Sequence, residues 1–150
     1  MATVFEPSTR DALIKRINKL DQHTKAVWGK MNAYQVATHC ALWEEMIHRN
    51  QIYERPLIGR LIGPMILRKV LKDDAPMRKN SPTIPELIIN ETNGNFETEK
   101  GKWISMINGY STYSLPDYTF VHPFFGKMTR DQIGRMAYKH NDHHLRQFGV

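Results

Sequence analysis

The sequence TRDQIGRMAYKHNDHHLRQF occupies residues 129–148 and predicts an amphipathic helix near the end of the chain. Thr129 can accept a hydrogen bond from a free amide of the first turn, and the glutamine three residues later can reach back, which is the arrangement of a capping box. At about 100° per residue, Ile133 lies within roughly 40° of the direction midway between His140 and His144. The two histidines are therefore expected to face the core.

Side chains four residues apart leave the same face of a helix one turn apart, so His140 and His144 can bind one metal ion together. Seven histidines placed at random would give such a pair in roughly one chain of four, so the pair alone is weak evidence. For one inward histidine, a neutral hydrogen-bonded core residue is the simpler interpretation. Burying several imidazoles without partners would cost stability, so two inward rings with His39 as a third inward candidate favour a metal site.

Three further segments carry apolar residues at helical spacing, and proline, glycine and asparagine are frequent between them. No strand-like alternation competes with these patterns, so the sequence predicts an all-α fold. The three helices are predicted to run from near Ser8 to a point before Gln22, from a cap at Asn32 to about Arg49, and from about Asn95 to Ile107 with Gly109 as the stop.

The segment from Arg55 to Lys72 is both apolar and basic. Because Gly59, Gly63 and Pro64 interrupt it, we predict a bent helix or two short ones. Such a segment is typical of a helix on a membrane surface, but a core helix with solvated flanks has the same pattern, and we prefer the core interpretation. Long irregular connections are predicted on both sides of the third bundle helix, at 73–91 and 110–125.

The length of 150 residues predicts a single domain, 1–150, and the net charge of +6 is spread along the chain without a dense basic tract. We therefore expect neither nucleic acid nor a membrane as a partner. Cys40 is the one cysteine, which fits a reducing compartment, and the first residues lack the pattern of a secretion signal. A cytoplasmic location and a core-packing role for Cys40 are the corresponding expectations.

Several polar residues have more than one interpretation. Gln35 and Gln147 could each orient a ligand ring, or could be ordinary polar residues on a helix flank. His122 could donate a proton if its loop folds over the bundle, or its loop could simply pack there. The remaining histidines, His23, His48 and His143, are expected at the surface or beside the site, and Glu44 and Glu45 are expected to face solvent or neighbouring helices.

Three local runs of the sequence resemble the DinB-like family of metal-binding four-helix bundles, and the stretch 76–83 resembles one branch of it. The runs are WGKM at 28–31 with Gln35 and His39, HPFFG at 122–126, and YKHNDHHLRQF at 138–148. The resemblance implies a four-helix bundle with long crossover loops. It also implies a divalent metal held by His39, His140 and His144, the same residues that the helical spacing indicates.

What the resemblance implies for activity is broader, because some relatives transfer a low-molecular-weight thiol and others have no assigned reaction. We expect a metal-dependent enzyme, either a thiol-dependent transferase or a hydrolase of small molecules, with zinc or nickel bound, or iron. The alternative is a non-catalytic bundle that binds a metal or ligand and self-associates. A homodimer and a small-molecule substrate are expected, and no catalytic residue is assigned.

Overall fold

The structure is a computed structural model that describes residues 1–114 and 120–150. These residues are mostly helical, which confirms the predicted class in outline, and they also contain a short antiparallel sheet that the sequence did not indicate. The elements are α1 (Pro7–Ile17), α2 (Ala33–His48), α3 (Leu57–Val70), a 3-10 turn (Pro85–Leu87), α4 (Phe96–Gly109), β1 (Phe120–His122), β2 (Gly126–Met128) and α5 (Arg130–Gln147).

The predicted helix starts are largely confirmed. Asn32 and Thr129 each form a complete capping box with the glutamine three residues later, and Asn95 accepts a hydrogen bond from an amide in the first turn of α4. The start predicted near Ser8 is also confirmed, because α1 begins one residue earlier, at Pro7. The fixed φ of proline suits the first turn of a helix, and its missing amide is not needed there.

The core lies among α1, α2, α4 and α5. α1 and α2 each contact both α4 and α5, and the contact between α2 and α4 is the most extensive. The apolar side chains that these helices bury include Ile17, Val36, Trp43, Trp103, Ile107 and Ile133. Cys40 is also fully buried, as expected for core packing. No helix within 1–114 and 120–150 has the length and apolarity that a bilayer crossing requires.

α3 is one continuous helix that passes through Pro64, which excludes the predicted alternative of two short helices. It is also not a core helix, because it contacts β2 outside the four core helices while Leu57, Leu61 and Met65 remain largely exposed. Periodicity alone could not separate these cases, because α3 is apolar on nearly every side and the pattern does not say which side finds a neighbour.

β1 and β2 form a hairpin in which Phe120 pairs with Met128 and His122 with Gly126. Gly126 has a φ of +84°, a conformation that favours glycine. Each strand is three residues long, too short for an alternating pattern to show in the sequence. The predicted loop at 110–125 therefore contains a strand at its end, and its residues 115–119 lie outside the described part of the chain.

Candidate metal centre

The side chains of His39, His140 and His144 meet between α2 and α5. One ring nitrogen from each histidine lies within 4.8 Å of those of the other two, and the Nε2 atoms of His39 and His140 are 3.1 Å apart. The three residues are 4%, 7% and 8% exposed. The structure thus brings together the trio named from the sequence, although 101 residues separate His39 from His140.

Two of the three rings are held in one orientation by hydrogen bonds on their outer side. His39 Nδ1 lies 2.9 Å from the carbonyl oxygen of Leu87, which can only accept, so Nδ1 carries the proton. His144 Nδ1 lies 2.9 Å from Gln147 Oε1, while the amide nitrogen of Gln147 donates to the carbonyl of Trp28. In a neutral imidazole these bonds leave Nε2 with its lone pair, which is the form that binds a metal.

The third ring is held by stacking. The ring of His140 lies parallel to that of Trp43, with 4.3 Å between centroids and 12° between planes. His140 Nδ1 is buried and has no hydrogen-bond partner within residues 1–114 and 120–150. Of the three rings, His140 alone therefore lacks an outer hydrogen bond that would fix its tautomer.

The donor set fits a divalent transition ion. Because His39 Nε2 offers a lone pair, the short approach of His140 Nε2 is favourable only when a proton or a cation lies between the two atoms. Bonds from zinc to imidazole are about 2.1 Å long, so two ligand nitrogens at the tetrahedral angle are about 3.4 Å apart. The separations, which reach at most 4.8 Å, must therefore shorten by up to about 1.4 Å for one zinc ion to contact all three rings.

Burial lowers the pKa of all three imidazoles. For His140 and His144 the pKa lies well below the usual range, chiefly through loss of solvent and then through repulsion from neighbouring histidines. For His39, burial also dominates, and the bond to Leu87 partly opposes it. The three rings are therefore neutral near pH 7, and a metal ion does not have to displace protons from them.

The structure decides between the two interpretations of Gln35 and Gln147. Gln147 contacts His144 of the trio, as one interpretation predicted. Gln35 does not contact the trio, because its side chain closes the capping box at Asn32 and donates to the carbonyl of Ile89. Sequence reasoning missed the carbonyl of Leu87, since a backbone oxygen in an irregular segment leaves no side-chain signal.

The other histidines lie outside the trio. His122 is buried, and its Nδ1 accepts hydrogen bonds from the amides of Phe124 and Phe125. His143 is half-buried, with its ring 6.0 Å from that of Trp28, so it flanks the site as expected. His23 is exposed as expected, but the surface position predicted for His48 is wrong, because its ring packs 4.6 Å from that of Tyr110.

A buried polar network lies beside the trio, and the sequence analysis did not identify it. Glu44 is fully buried, and its carboxylate accepts hydrogen bonds from the hydroxyl of Tyr110 and the amide of Asn141. Trp103 Nε1 donates to the oxygen of the same amide. Burial raises the pKa of Glu44 to about 7, although both hydrogen bonds oppose the shift. The network ties α5 to α2 and α4 at the residue after His140.

Replacement of Gln147 by alanine is expected to weaken metal binding 10- to 100-fold, because removal of a partner that orients a ligand ring typically has this effect. The measurement is a competition titration with a chromophoric chelator on the apo protein. Gln35→Ala is the matched control, since Gln35 lies on α2 but does not touch the trio, and it should leave the affinity unchanged. Equal effects of the two changes would contradict the role given to Gln147.

The burial of His122 predicts a pH dependence of stability. Burial and the nearby charge of Arg55 lower its pKa from 6.5 to about 3, so between these values the unfolded chain binds a proton that the folded chain excludes. The free energy of unfolding therefore falls as the pH drops below about 6.5, by on the order of 1 kcal/mol per pH unit from this residue. In His122→Asn, the asparagine oxygen can still accept the two hydrogen bonds from the amides. Urea denaturation at several pH values should show that the free energy of unfolding of this variant depends less on pH than that of the wild type, by about the same amount. Identical slopes would contradict the assignment.

The fold and site define a class: a mostly helical protein in which two helices bring three buried histidines to one point. A family model described as "Protein of unknown function (DUF1569)" matches residues 6–149. The chain belongs to this DUF1569 family. No curated protein and no solved structure matches it.

Proposed function

We propose that His39, His140 and His144 bind one divalent transition ion, zinc or nickel or else iron, and that the protein is a metal-dependent enzyme acting on small molecules. The observation that carries the proposal is the convergence of three buried, neutral imidazoles from two helices, two of them already held with Nε2 free. Three protein ligands leave at least one position open, which is the pattern of catalytic rather than structural metal sites.

We also propose that the fold is a four-helix bundle of the DinB-like type. Its support is the closed ring of contacts in which α1 and α2 each touch both α4 and α5. The ligands then lie on the second and the last bundle helix, where the resemblance of residues 28–39 and 138–148 places them. α3 and the hairpin belong to the long connections between bundle helices.

A divalent ion in this site would lower the pKa of a bound thiol or water molecule, supplying a nucleophile near neutral pH. The residues of the chain orient the ligand rings and exclude water from them. The carbonyl of Leu87 and the side chain of Gln147 hold two ligand rings, and Trp43 covers the third. In a thiol-dependent transfer, the sulfur would form a bond to an electrophilic carbon, the leaving group would depart with its electron pair, and the thiol proton would pass to solvent.

A cavity lies next to His143, although none of the three ligands lines it. It has a volume of about 390 Å³, and its lining includes Trp28, Met77, Lys79 and His143. The ring of His143 lies 5.1 Å from that of the ligand His144, so the cavity is one side chain away from the trio. The ammonium of Lys79 lies 4.4 Å from the Trp28 ring and gives the lining a positive charge. An anionic molecule with an apolar portion, such as a low-molecular-weight thiol that carries a carboxylate, suits this lining.

The test is turnover of a chromogenic electrophile by a panel of low-molecular-weight thiols, and of small ester and amide substrates by water, with the protein loaded with zinc, nickel or iron. We expect one of these reactions to proceed with the wild-type protein and to be lost in His140→Ala. His23→Ala, at an exposed histidine, is the matched control and should retain the activity. A bound ion without turnover in any of these reactions would favour the non-catalytic binding bundle instead.

A further inference from the structure

The outer face of α3 is apolar and uncovered. Leu57, Leu61 and Met65 follow one another at helical spacing and are 76%, 79% and 63% exposed. Of the eight strongly exposed large hydrophobic side chains in the described part of the chain, five lie within residues 52–65. Exposed apolar side chains scattered singly need no explanation, but a concentrated patch is typical of an interaction surface.

The inner face of α3 explains why these side chains stay outside. Gly59 and Gly63 lie one turn apart and rest directly on the backbone of Phe124, where a Cβ at Gly63 would overlap the carbonyl oxygen. Leu67 continues the same inner face and is buried. Because this close approach requires glycine on the inner side, α3 cannot rotate to bury Leu61 without losing the contact.

The charge of α3 indicates what can cover the patch. The segment 55–72 contains five basic residues and no acidic residue. Arg68, Lys69 and Lys72 are exposed at the C-terminal end of the helix, and none of them forms an ion pair within residues 1–114 and 120–150. A second copy of α3 would offer the same basic side chains and so repel the first, whereas an anionic surface would match both the charge and the apolar stripe.

We propose that α3 binds the surface of anionic phospholipid membranes, with its apolar stripe at the boundary between headgroups and acyl chains. Leu57, Leu61 and Met65 enter that boundary, while Arg68 and Lys69 reach the lipid phosphates through their long side chains. This is contact with a membrane surface rather than a crossing, and it replaces the core-helix interpretation of the sequence. It does not depend on the histidine trio.

The test is co-sedimentation of the purified protein with phosphatidylcholine vesicles, with and without about one-third phosphatidylserine. Binding is expected only to the anionic vesicles. Arg68→Gln combined with Lys69→Gln should weaken binding to the anionic vesicles about 25-fold, since each basic residue contributes about fivefold. Adding Leu57→Ser and Leu61→Ser to that pair should reduce the binding further. All four positions are exposed, so these variants should fold.

Matched controls separate a specific surface from general stickiness. Lys15→Gln with Lys19→Gln removes two exposed charges elsewhere, and Val27→Ser with Ile88→Ser removes two exposed apolar side chains elsewhere. Both control pairs should bind anionic vesicles as the wild type does. Because Cys40 is the one cysteine and is fully buried, a polarity-sensitive dye on Leu61→Cys should label that position alone and shift to the blue with anionic vesicles.

Several outcomes would overturn the proposal. Equal binding to neutral and anionic vesicles, or α3 variants that bind as tightly as the control pairs, would exclude it. A concentration-dependent dimer that Leu61→Ser dissociates would assign the face to a second copy, and salt-sensitive binding of duplex DNA in place of vesicles would assign it to nucleic acid. His140→Ala should bind vesicles normally, so loss of the metal centre and loss of membrane binding are distinguishable.

Discussion

Replacement of His140 by alanine is expected to remove the metal ion from the protein. The wild type, purified without added metal, should carry about one transition ion per chain, and the variant should carry almost none. The ring centroid of His140 lies 5.2 Å from that of His39 and 4.6 Å from that of His144. Changes that only disturb ligand orientation already cost 10- to 100-fold in affinity, so loss of a ligand should cost more than about 100-fold. Elemental analysis of both proteins is the measurement, and anomalous X-ray scattering from a crystal would identify the ion and its contacts.

The controls for this prediction are His143→Ala, beside the trio, and His23→Ala, at the surface. Both should retain the ion, because neither belongs to the convergent set. Circular dichroism should show that all three variants remain helical. A wild-type protein that is folded yet contains no transition ion, and binds none on titration with zinc, nickel or iron, would end the proposal of a metal centre.

Replacement of Asn141 by leucine is expected to cost about 3–5 kcal/mol of the free energy of unfolding. The change removes the amide that donates to Glu44 and accepts from Trp103, so a buried carboxyl group and a buried indole N–H each lose a partner. Leaving such groups unpaired in a dry interior costs far more than the lost contact itself. Urea denaturation followed by circular dichroism measures the effect.

Three further variants locate the cause of that loss. Tyr110→Phe removes one of the two donors to Glu44 and should cost about 1–3 kcal/mol. Asn108→Leu, at an exposed position on α4, should change stability by less than about 0.5 kcal/mol. Glu44→Leu combined with Asn141→Leu should recover part of the loss, because the carboxyl group that lacks a partner is then absent. A loss below about 1 kcal/mol for Asn141→Leu would show that the network contributes little.

The local features of the molecule were predictable from short stretches of sequence. The starts of α2 and α5 follow from Asn32 and Thr129, each with a glutamine three residues later. The inward direction of the ligand pair on α5 follows from its spacing relative to Ile133. Such features depend on residues within one or two turns of each other, so the sequence contains all the information needed to predict them.

The features that the sequence analysis missed or left open depend on distant neighbours. Glu44 was expected to face solvent or neighbouring helices, and the structure selects the second, because α4 and α5 enclose its side chain fully. α3 was assigned to the core because its pattern is apolar, but the turn at Phe124 covers only its glycine side. In both cases the same residues at the same spacing are compatible with two environments, and the tertiary contacts select one.

The sequence alone determined where the main helices begin and that His140 and His144 share an inward face, because these are properties of a single helix. The tertiary structure decided that His39 meets them across 101 residues, that Leu87 fixes its ring, and that the outer face of α3 has no neighbour in the described chain. The physical reason is that periodicity specifies a direction around one helix axis, whereas a site requires a distance between two helices, which packing of the whole core sets.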